Sequence, residues 1–232
     1  MKTVVLSKEE AVEKAARQVK ELTERKPKAV LALEGGVDTL PLYIKLADMF
    51  SEGEISFHDV SIFMISDYEI APIGSYLKDP VIEEFIDYID VYDQNVYYIN
   101  SMNYKIYDEV IEAHGGIDLA ILSVGADCRI GFNQPGAEFL SATRVQKLSP
   151  ATRRELAADF GGEENVPENG CTMGIKALVD AREQIVLAFG EEKAEPVFNM
   201  LYGRNDSRFP AAFLQLAPDV TLYADPSAAS KL

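Results

Sequence analysis

Residues 117–136, with the sequence IDLAILSVGADCRIGFNQPG, decide the fold of the chain. The segment begins with the apolar run Leu119-Ala120-Ile121-Leu122, which is too short for a buried helix and is typical of an interior strand. The run breaks at Gly125 into a loop with five polar residues: Asp127, Cys128, Arg129, Asn133 and Gln134. Because open α/β sheets bind their ligands beyond the carboxyl ends of the strands, the segment predicts a ligand site in this loop.

Short apolar runs recur along the chain and alternate with helical patterns. The runs lie at residues 29–33, 60–65, 184–189 and 220–223, and a helical stripe at residues 8–25 begins after Ser7. This alternation predicts an α/β fold, doubly wound and Rossmann-like, with a mainly parallel sheet and helices on both faces in three layers. We expect one domain over residues 1–232. The loops after Leu33, Ile65 and Val124 should converge on the site.

Composition limits the classes of function. The chain has 232 residues, 47% of them hydrophobic, and carries a formal net charge of −16. Such a charge argues against nucleic-acid partners, which need a basic surface. No apolar run approaches the length of a membrane span, and the amino terminus lacks the apolar region of a signal peptide. We therefore expect a cytoplasmic protein that does not bind membranes.

The metal-binding residue types are sparse. The chain has two cysteines and two histidines, and none of them are closely spaced. They do not form the ligand pattern of a zinc site. We expect neither a metal nor a cofactor.

The loop also carries a resemblance to a known family. Residues 123–136 resemble the signature G-x-G-x-D-G-H-x-A-F-N-E-P-G of the glucosamine-6-phosphate deaminase/isomerase family. The frame is kept without gaps, but Cys128, Arg129 and Gln134 stand where the family has glycine, histidine and glutamate. The related 6-phosphogluconolactonases share the fold, but their loop does not continue as residues 132–136 do here. The segment therefore favours the deaminase branch.

The resemblance implies a set of catalytic positions. Residues 66–68, Ser-Asp-Tyr, resemble a family motif N-M-D-E-Y whose aspartate moves a proton between C1 and C2 of the sugar. Alignment on Tyr68 places Ser66 at the position of the base, which leaves open whether Asp67 reaches inward instead. The candidate catalytic residues are therefore Asp127, Ser66, Asp67, Arg129 and Gln134.

The resemblance also implies a phosphate site. Residues 35–39, Gly-Gly-Val-Asp-Thr, resemble the loop that binds sugar phosphate in the family, although Asp38 replaces a hydroxyl donor there. Thr39 would take that part if the loop were shifted by one residue. Lys193 occupies the position of the phosphate-binding lysine in a G-x-x-K-A motif. The candidate binding residues are Gly35, Gly36, Asp38, Thr39, Asn133 and Lys193. The alternatives are a plain tight turn for the loop and a surface position for the lysine.

Residues 143–153 resemble the family segment T-R-x-x-x-L-[ST]-x-x-T-R. In relatives this region acts as a lid over the substrate, so the resemblance implies a candidate lid at residues 150–166. A solvated charged helix is the alternative.

Two functions follow from these positions. The family reaction opens an amino-sugar phosphate ring, moves a proton between C1 and C2, and releases ammonia. Arginine cannot lose its proton near neutral pH and glutamine cannot ionise, so we expect weak or absent deaminase activity. One hypothesis is an aldose–ketose isomerase with Asp67 or Asp127 as base. The other is a sensor or regulatory protein that binds a sugar phosphate without turnover. The expected partner is a small-molecule sugar phosphate. A homo-oligomer is a candidate assembly, and the sequence itself does not give the oligomeric state.

Overall fold

The computed structural model describes residues 1–70, 75–77 and 85–232. Eleven strands lie in these described parts: β1 (Lys2–Val5), β2 (Val30–Leu33), β3 (Ser61–Met64), β4 (Ser66–Ile70), β5 (Ser75–Leu77), β6 (Val96–Tyr97), β7 (Leu119–Ser123), β8 (Arg144–Lys147), β9 (Asn169–Thr172), β10 (Glu183–Ala188) and β11 (Val220–Ala224). The α-helices there are α1 (Lys8–Arg25), α2 (Leu40–Ser51), α3 (Tyr104–Ala113), α4 (Pro150–Leu156), α5 (Ile175–Val179) and α6 (Ala194–Tyr202). Short 3₁₀ turns lie at Asp93–Asn95, Glu163–Asn165, Glu191–Lys193 and Pro210–Leu216.

Seven parallel strands form the central sheet in the order β1-β11-β10-β7-β2-β3-β6. The apolar run in β7 lies near the middle, and Leu119, Ala120, Ile121 and Leu122 are each 0% exposed. Strands buried on both faces need such continuous apolar runs, because helices cover each face of a parallel sheet. The predicted α/β fold, doubly wound with helices on both faces, is confirmed.

The order of the strands determines where a ligand can bind. From β2 the chain runs outward to β3 and β6, and it then returns to β7 on the other side of β2 before continuing to β10 and β11. The carboxyl ends of β2 and β7 therefore flank the point at which the winding reverses. Open α/β sheets carry their ligand crevice at this switch point.

A second sheet was not predicted from the sequence. Strands β5, β4, β9 and β8 form it in that order, and all of its pairs are antiparallel. Residues 66–69, which the sequence pattern assigned to a loop, belong to β4. The strand pairs with β9, about a hundred residues further along, so its formation depends on contacts that a local pattern does not report.

The first helix forms where the sequence predicts it. The Ser7 hydroxyl accepts from the backbone N–H of Glu10, and the Glu10 carboxylate accepts from the Ser7 N–H, which closes a capping box. The preceding edge strand β1, which pairs with β11, had no predicted counterpart.

Asp118 ties the start of β7 to three other parts of the fold. Its carboxylate is 3% exposed and accepts from the Val30 backbone N–H at 2.8 Å. It also pairs with Lys26 at 2.7 Å and with Arg182 at 3.0 Å. One carboxylate therefore joins β2, the end of α1 and the start of β10.

We predict that Asp118→Ala lowers the free energy of unfolding by about 2 kcal/mol. The two cations are half-exposed and can be hydrated again, so the main cost is the buried Val30 N–H left without an acceptor. Urea unfolding measures the change. The control is Asp180→Ala, which removes a surface pair with Lys176 and should change stability by less than about 0.5 kcal/mol. Equal effects of the two variants would contradict the prediction.

Candidate active site

A polar cleft of about 250 Å³ opens at the switch point of the sheet. The segments that follow β2, β3 and β7 converge on it, as the sequence predicts, although the segment after β3 is strand β4 and not a loop. Its wall consists of residues 34–38, 66–68 and 155–156, with Ser123, Gly125, Arg129, Gly131, Phe132, Ala158, Asp159 and Lys193.

Seven of the predicted site residues line this cleft. They are Ser66, Asp67 and Arg129 from the catalytic set, and Gly35, Gly36, Asp38 and Lys193 from the binding set. The geometry brings these residues together, and their individual roles remain predictions.

Glu34 is a site residue that the sequence analysis missed. It follows β2 directly and is 8% exposed. Its Oε2 accepts from the Ser123 backbone N–H at 2.7 Å, and its Oε1 accepts from the Gly131 N–H at 3.0 Å. The signal available in the sequence was a carboxylate immediately after a buried strand, in a glycine-rich loop.

Burial raises the pKa of Glu34 to about 7. The two backbone N–H donors and the positive charges of Arg129 and Lys193 act in the opposite direction, but burial outweighs them. A carboxyl group with such a pKa exchanges a proton readily at neutral pH, which is the property required of a general acid–base group.

Arg129 is held by two carboxylates. Its Nη1 lies 3.2 Å from an oxygen of Asp127 and 2.5 Å from an oxygen of Glu155. Burial opposes the charge of Arg129, but the two carboxylates outweigh burial and raise its pKa. Gly125 makes room for this side chain, because a Cβ there would lie 2.6 Å from the Arg129 Cγ. Arg129 is therefore a fixed positive charge and not a proton carrier.

Lys193 and Asp38 form a buried ion pair in the cleft. The ammonium lies 2.9 Å from an oxygen of Asp38, and it also donates to the Val124 carbonyl at 2.8 Å. Burial raises the pKa of Asp38, and the charge of Lys193 opposes that rise. The lysine is thus neutralised by a carboxylate of the chain itself.

Four predicted site residues do not line the cleft. Thr39 is 0% exposed, and its hydroxyl donates to the Glu34 carbonyl at 2.9 Å. Asn133 is also 0% exposed, and its amide donates to the carbonyls of Met173 and Ile130. Asp127 pairs with Arg129 behind the wall of the cleft. Gln134 is the fourth.

Gln134 joins three parts of the chain. Its Nε2 donates to the Lys147 carbonyl at 2.9 Å. Its Oε1 accepts from the Ser149 N–H at 2.5 Å and from the Thr152 hydroxyl at 2.7 Å. The amide thus satisfies one acceptor and two donors. A carboxylate at this position would place an oxygen against the Lys147 carbonyl.

Position 128 shows why the resembling family has glycine there. Cys128 has a φ of +64°, in the left-handed region that side chains rarely adopt. Its thiol is buried and lies 3.7 Å from the Pro196 carbonyl, and burial raises its pKa to about 12. Burial raises the pKa of Cys171 to about 12 as well. Neither thiol has the lowered pKa of a nucleophilic cysteine.

The predicted lid segment reaches the cleft. Leu156, Ala158 and Asp159 form part of the wall, and Phe160 packs edge-on against Tyr68 at a ring distance of 4.9 Å. Phe132 packs on the other side of Tyr68 at 5.2 Å. These contacts connect residues 150–166 to the site. Movement of the segment remains a prediction.

The described residues contain neither a candidate metal site nor a candidate membrane span. No group of three or more His, Cys, Asp or Glu side chains in residues 1–70, 75–77 and 85–232 is arranged to hold a metal ion. No helix within the same described ranges is long and apolar enough to cross a membrane.

Comparison with known proteins agrees with the resemblance. The sequence model of the family described as glucosamine-6-phosphate isomerases/6-phosphogluconolactonase matches residues 5–222. The chain is 34% identical over 242 residues to a glucosamine-6-phosphate deaminase of Mycoplasma mycoides subsp. mycoides, covering 100% of this chain and 98% of the relative. It is 36% identical over 244 residues to the enzyme of that name from Hahella chejuensis, covering 100% and 92%.

Solved structures give the same result. A monomeric glucosamine-6-phosphate deaminase superposes with a TM-score of 0.93 at 29% identity, covering 100% of both chains. A 6-phosphogluconolactonase from Thermotoga maritima superposes with a TM-score of 0.71 at 20% identity, covering 96% of this chain and 97% of the other. At that identity the second likeness shows the fold alone.

A parallel sheet with an ionisable cleft at its switch point defines a Rossmann-like α/β protein with its candidate site where open α/β sheets place theirs. The chain belongs to the family of glucosamine-6-phosphate isomerases and 6-phosphogluconolactonases.

We predict that Gln134→Glu lowers the free energy of unfolding by about 1–3 kcal/mol at pH 7, because the new oxygen cannot donate to the Lys147 carbonyl. The loss should shrink at acid pH. There the introduced carboxyl becomes protonated and can donate again.

Gln146→Glu is the matched control, since its amide also donates to the Lys147 carbonyl but from an exposed position. Urea unfolding at pH 5 and pH 7 measures both variants. A small and pH-independent effect of Gln134→Glu would contradict the structural assignment of Gln134.

Proposed function

We propose that the chain is a sugar isomerase of this family in which Glu34 moves the proton between C1 and C2. The observation that carries the proposal is the Glu34 carboxylate, held at the floor of the cleft by two backbone N–H groups and adjusted by burial to a pKa of about 7. A base with this pKa is close to optimal for proton transfer at neutral pH. Glu34 thereby takes the part that the sequence analysis offered to Asp67 or Asp127.

The proposed reaction conserves every atom. The ionised Glu34 takes the proton from C2 of an open-chain aldose, and the electron pair left on C2 forms the C1=C2 bond of an enediolate. The negative charge that develops on the C1 oxygen is stabilised by the fixed positive charge of Arg129. On a 2-hydroxy aldose the proton then passes from Glu34 to C1, the O2 hydroxyl proton moves to O1, and the product is the ketose. On a 2-amino sugar, which has no O2, the proton returns from Glu34 to C2 and the net result is exchange of that proton with solvent.

The relatives support a sugar as the ligand. The named relatives are glucosamine-6-phosphate deaminases that cover nearly the whole of this chain. By likeness to them we propose a hexose or hexosamine in the cleft, covered by residues 150–166 as a lid. The side chain of Asp67 also lines the wall and is a second candidate for contact with the sugar.

A protein that binds without turnover is the alternative. The observation that favours it is the pairing of Arg129. Its Nη1 is already paired with both Asp127 and Glu155, so the guanidinium neither accepts a proton nor changes its position easily during a reaction. Binding of a sugar with no exchange of its C2 proton would favour this alternative.

We predict that the protein exchanges the C2 proton of glucosamine or glucosamine 6-phosphate with solvent deuterium, and that Glu34→Gln slows the exchange by at least about 100-fold. The base acts in its ionised form, so the rate should fall as the pH drops through about 7. Proton NMR in D₂O measures the rate.

Glu24→Gln is the control, because Glu24 is exposed, lies on α1 and does not line the cleft. It should leave the exchange rate unchanged. Exchange that survives Glu34→Gln with the same pH profile would show that another group is the base.

We predict that ammonia release from glucosamine 6-phosphate is absent, or at least about 100-fold below that of the Mycoplasma mycoides relative assayed in parallel. Ser66 and Arg129, which line the cleft, cannot supply the ionisations of the family reaction near neutral pH.

Groups that act as a unit do not contribute independently to a rate. Ser66→Asp or Arg129→His alone should therefore recover little ammonia release, and the double variant should recover more than either of them. Rapid release by the unmodified protein would contradict this prediction.

A further inference from the structure

Both positively charged side chains of the cleft are already paired with carboxylates of the chain. Among the described residues that line it, the cations are Arg129 and Lys193, whereas five side chains are carboxyls. These carboxyls are Glu34, Asp38, Asp67, Glu155 and Asp159. A ligand therefore meets a wall with more acidic than basic groups.

The positive charge of Lys193 is already paired with the Asp38 carboxylate in the absence of a ligand. The ammonium and the Asp38 carboxylate are 2.9 Å apart, and their side chains are 8% and 7% exposed. A third group, the Val124 carbonyl, accepts from the same ammonium. An entering anion would have to displace Asp38 and leave a buried carboxylate unpaired, which is strongly unfavourable.

Arg129 is compensated in the same way. Two carboxylates lie within 3.2 Å of its Nη1, and the positive charge of Arg129 lowers the pKa of Glu155 against the effect of burial. Glu155 therefore stays ionised beside the guanidinium. Neither cation offers the uncompensated charge that recognition of a phosphate dianion requires.

We propose that the cleft takes an unphosphorylated amino sugar and rejects the phosphorylated form. The ammonium of an amino sugar is attracted by the acidic wall, and its hydroxyls can bind there without breaking either ion pair. This inference rests on the proposed function only in that a sugar binds in the cleft, and it concerns the charge of that sugar and not its turnover.

Isothermal titration calorimetry at pH 7 tests the proposal with four probes: glucosamine, glucose, glucosamine 6-phosphate and inorganic phosphate. We expect glucosamine to bind at least tenfold more tightly than glucosamine 6-phosphate and more tightly than glucose, with no heat from inorganic phosphate. Tighter binding of glucosamine 6-phosphate than of glucosamine, or no binding of either, would overturn the proposal.

Asp38→Asn is the decisive variant, because it keeps the size of the side chain and releases the charge of Lys193. It should strengthen binding of glucosamine 6-phosphate at least tenfold and weaken that of glucosamine, because it removes one carboxylate of the acidic wall and leaves Lys193 without its partner. Asp180→Asn, a surface position, is the control and should change neither affinity. An unchanged preference in a folded Asp38→Asn protein would overturn the role given to the ion pair. Should that variant fail to fold, the ratio of the two sugar affinities in the unmodified protein still decides the proposal.

The outcomes separate this inference from the proposed function. Glucosamine that binds without C2 proton exchange would refute the isomerase and leave the charge preference standing. Exchange on glucosamine 6-phosphate with tighter binding of that sugar would refute the charge preference and leave the isomerase standing.

Discussion

The site depends on one buried carboxylate that holds two distant segments together. Glu34 comes from the end of β2, and its two oxygens accept backbone hydrogen bonds from Ser123 at the end of β7 and from Gly131 in the loop beyond. Its own backbone carbonyl accepts from the hydroxyls of Thr39 and Tyr43, which closes the glycine-rich loop beneath it. Without this side chain the N–H groups of Ser123 and Gly131 would lose their acceptor, although the backbone pairing of β2 with β7 would remain. Burial of Glu34 accompanies its structural hydrogen bonds and also raises its pKa toward neutrality. The local fold of the site and the proposed proton transfer therefore depend on the same side chain.

The central sheet could be predicted because each of its main strands is a short apolar run that is recognisable in the local sequence. Apolar runs such as residues 119–122 are buried on both faces, and their length alone distinguishes them from helices. The Ser7–Glu10 capping box likewise lies within four residues and is visible in the sequence. The antiparallel sheet was missed because β4 has mixed polarity and pairs with β9 across a long separation in sequence. Its residues become a strand only when the central sheet brings the partner close.

The candidate site was only partly predictable for a related reason. Arg129, Asp38 and Lys193 could be placed by resemblance, but their pairing with carboxylates depends on side chains from separate segments. The importance of Glu34 could not be inferred locally, since its pKa follows from burial that the loop after β7 completes. Gln134 shows the converse, because a position taken as catalytic carries three hydrogen bonds that connect loops away from the cleft. At position 134 the glutamate of the resembling family is replaced by glutamine, and the glutamine holds loops together.

Direct titration of the Glu34 carboxyl tests the central claim most sharply. Carbon-13 NMR of protein labelled at the glutamate side-chain carboxyl, with Glu34→Gln used to assign the resonance, follows ionisation of that one group. A midpoint near 7 is predicted, because burial outweighs the two backbone donors and the nearby cations. A midpoint near 4.5, the ordinary value for glutamate, would contradict the account and leave Glu34 as a structural carboxylate alone.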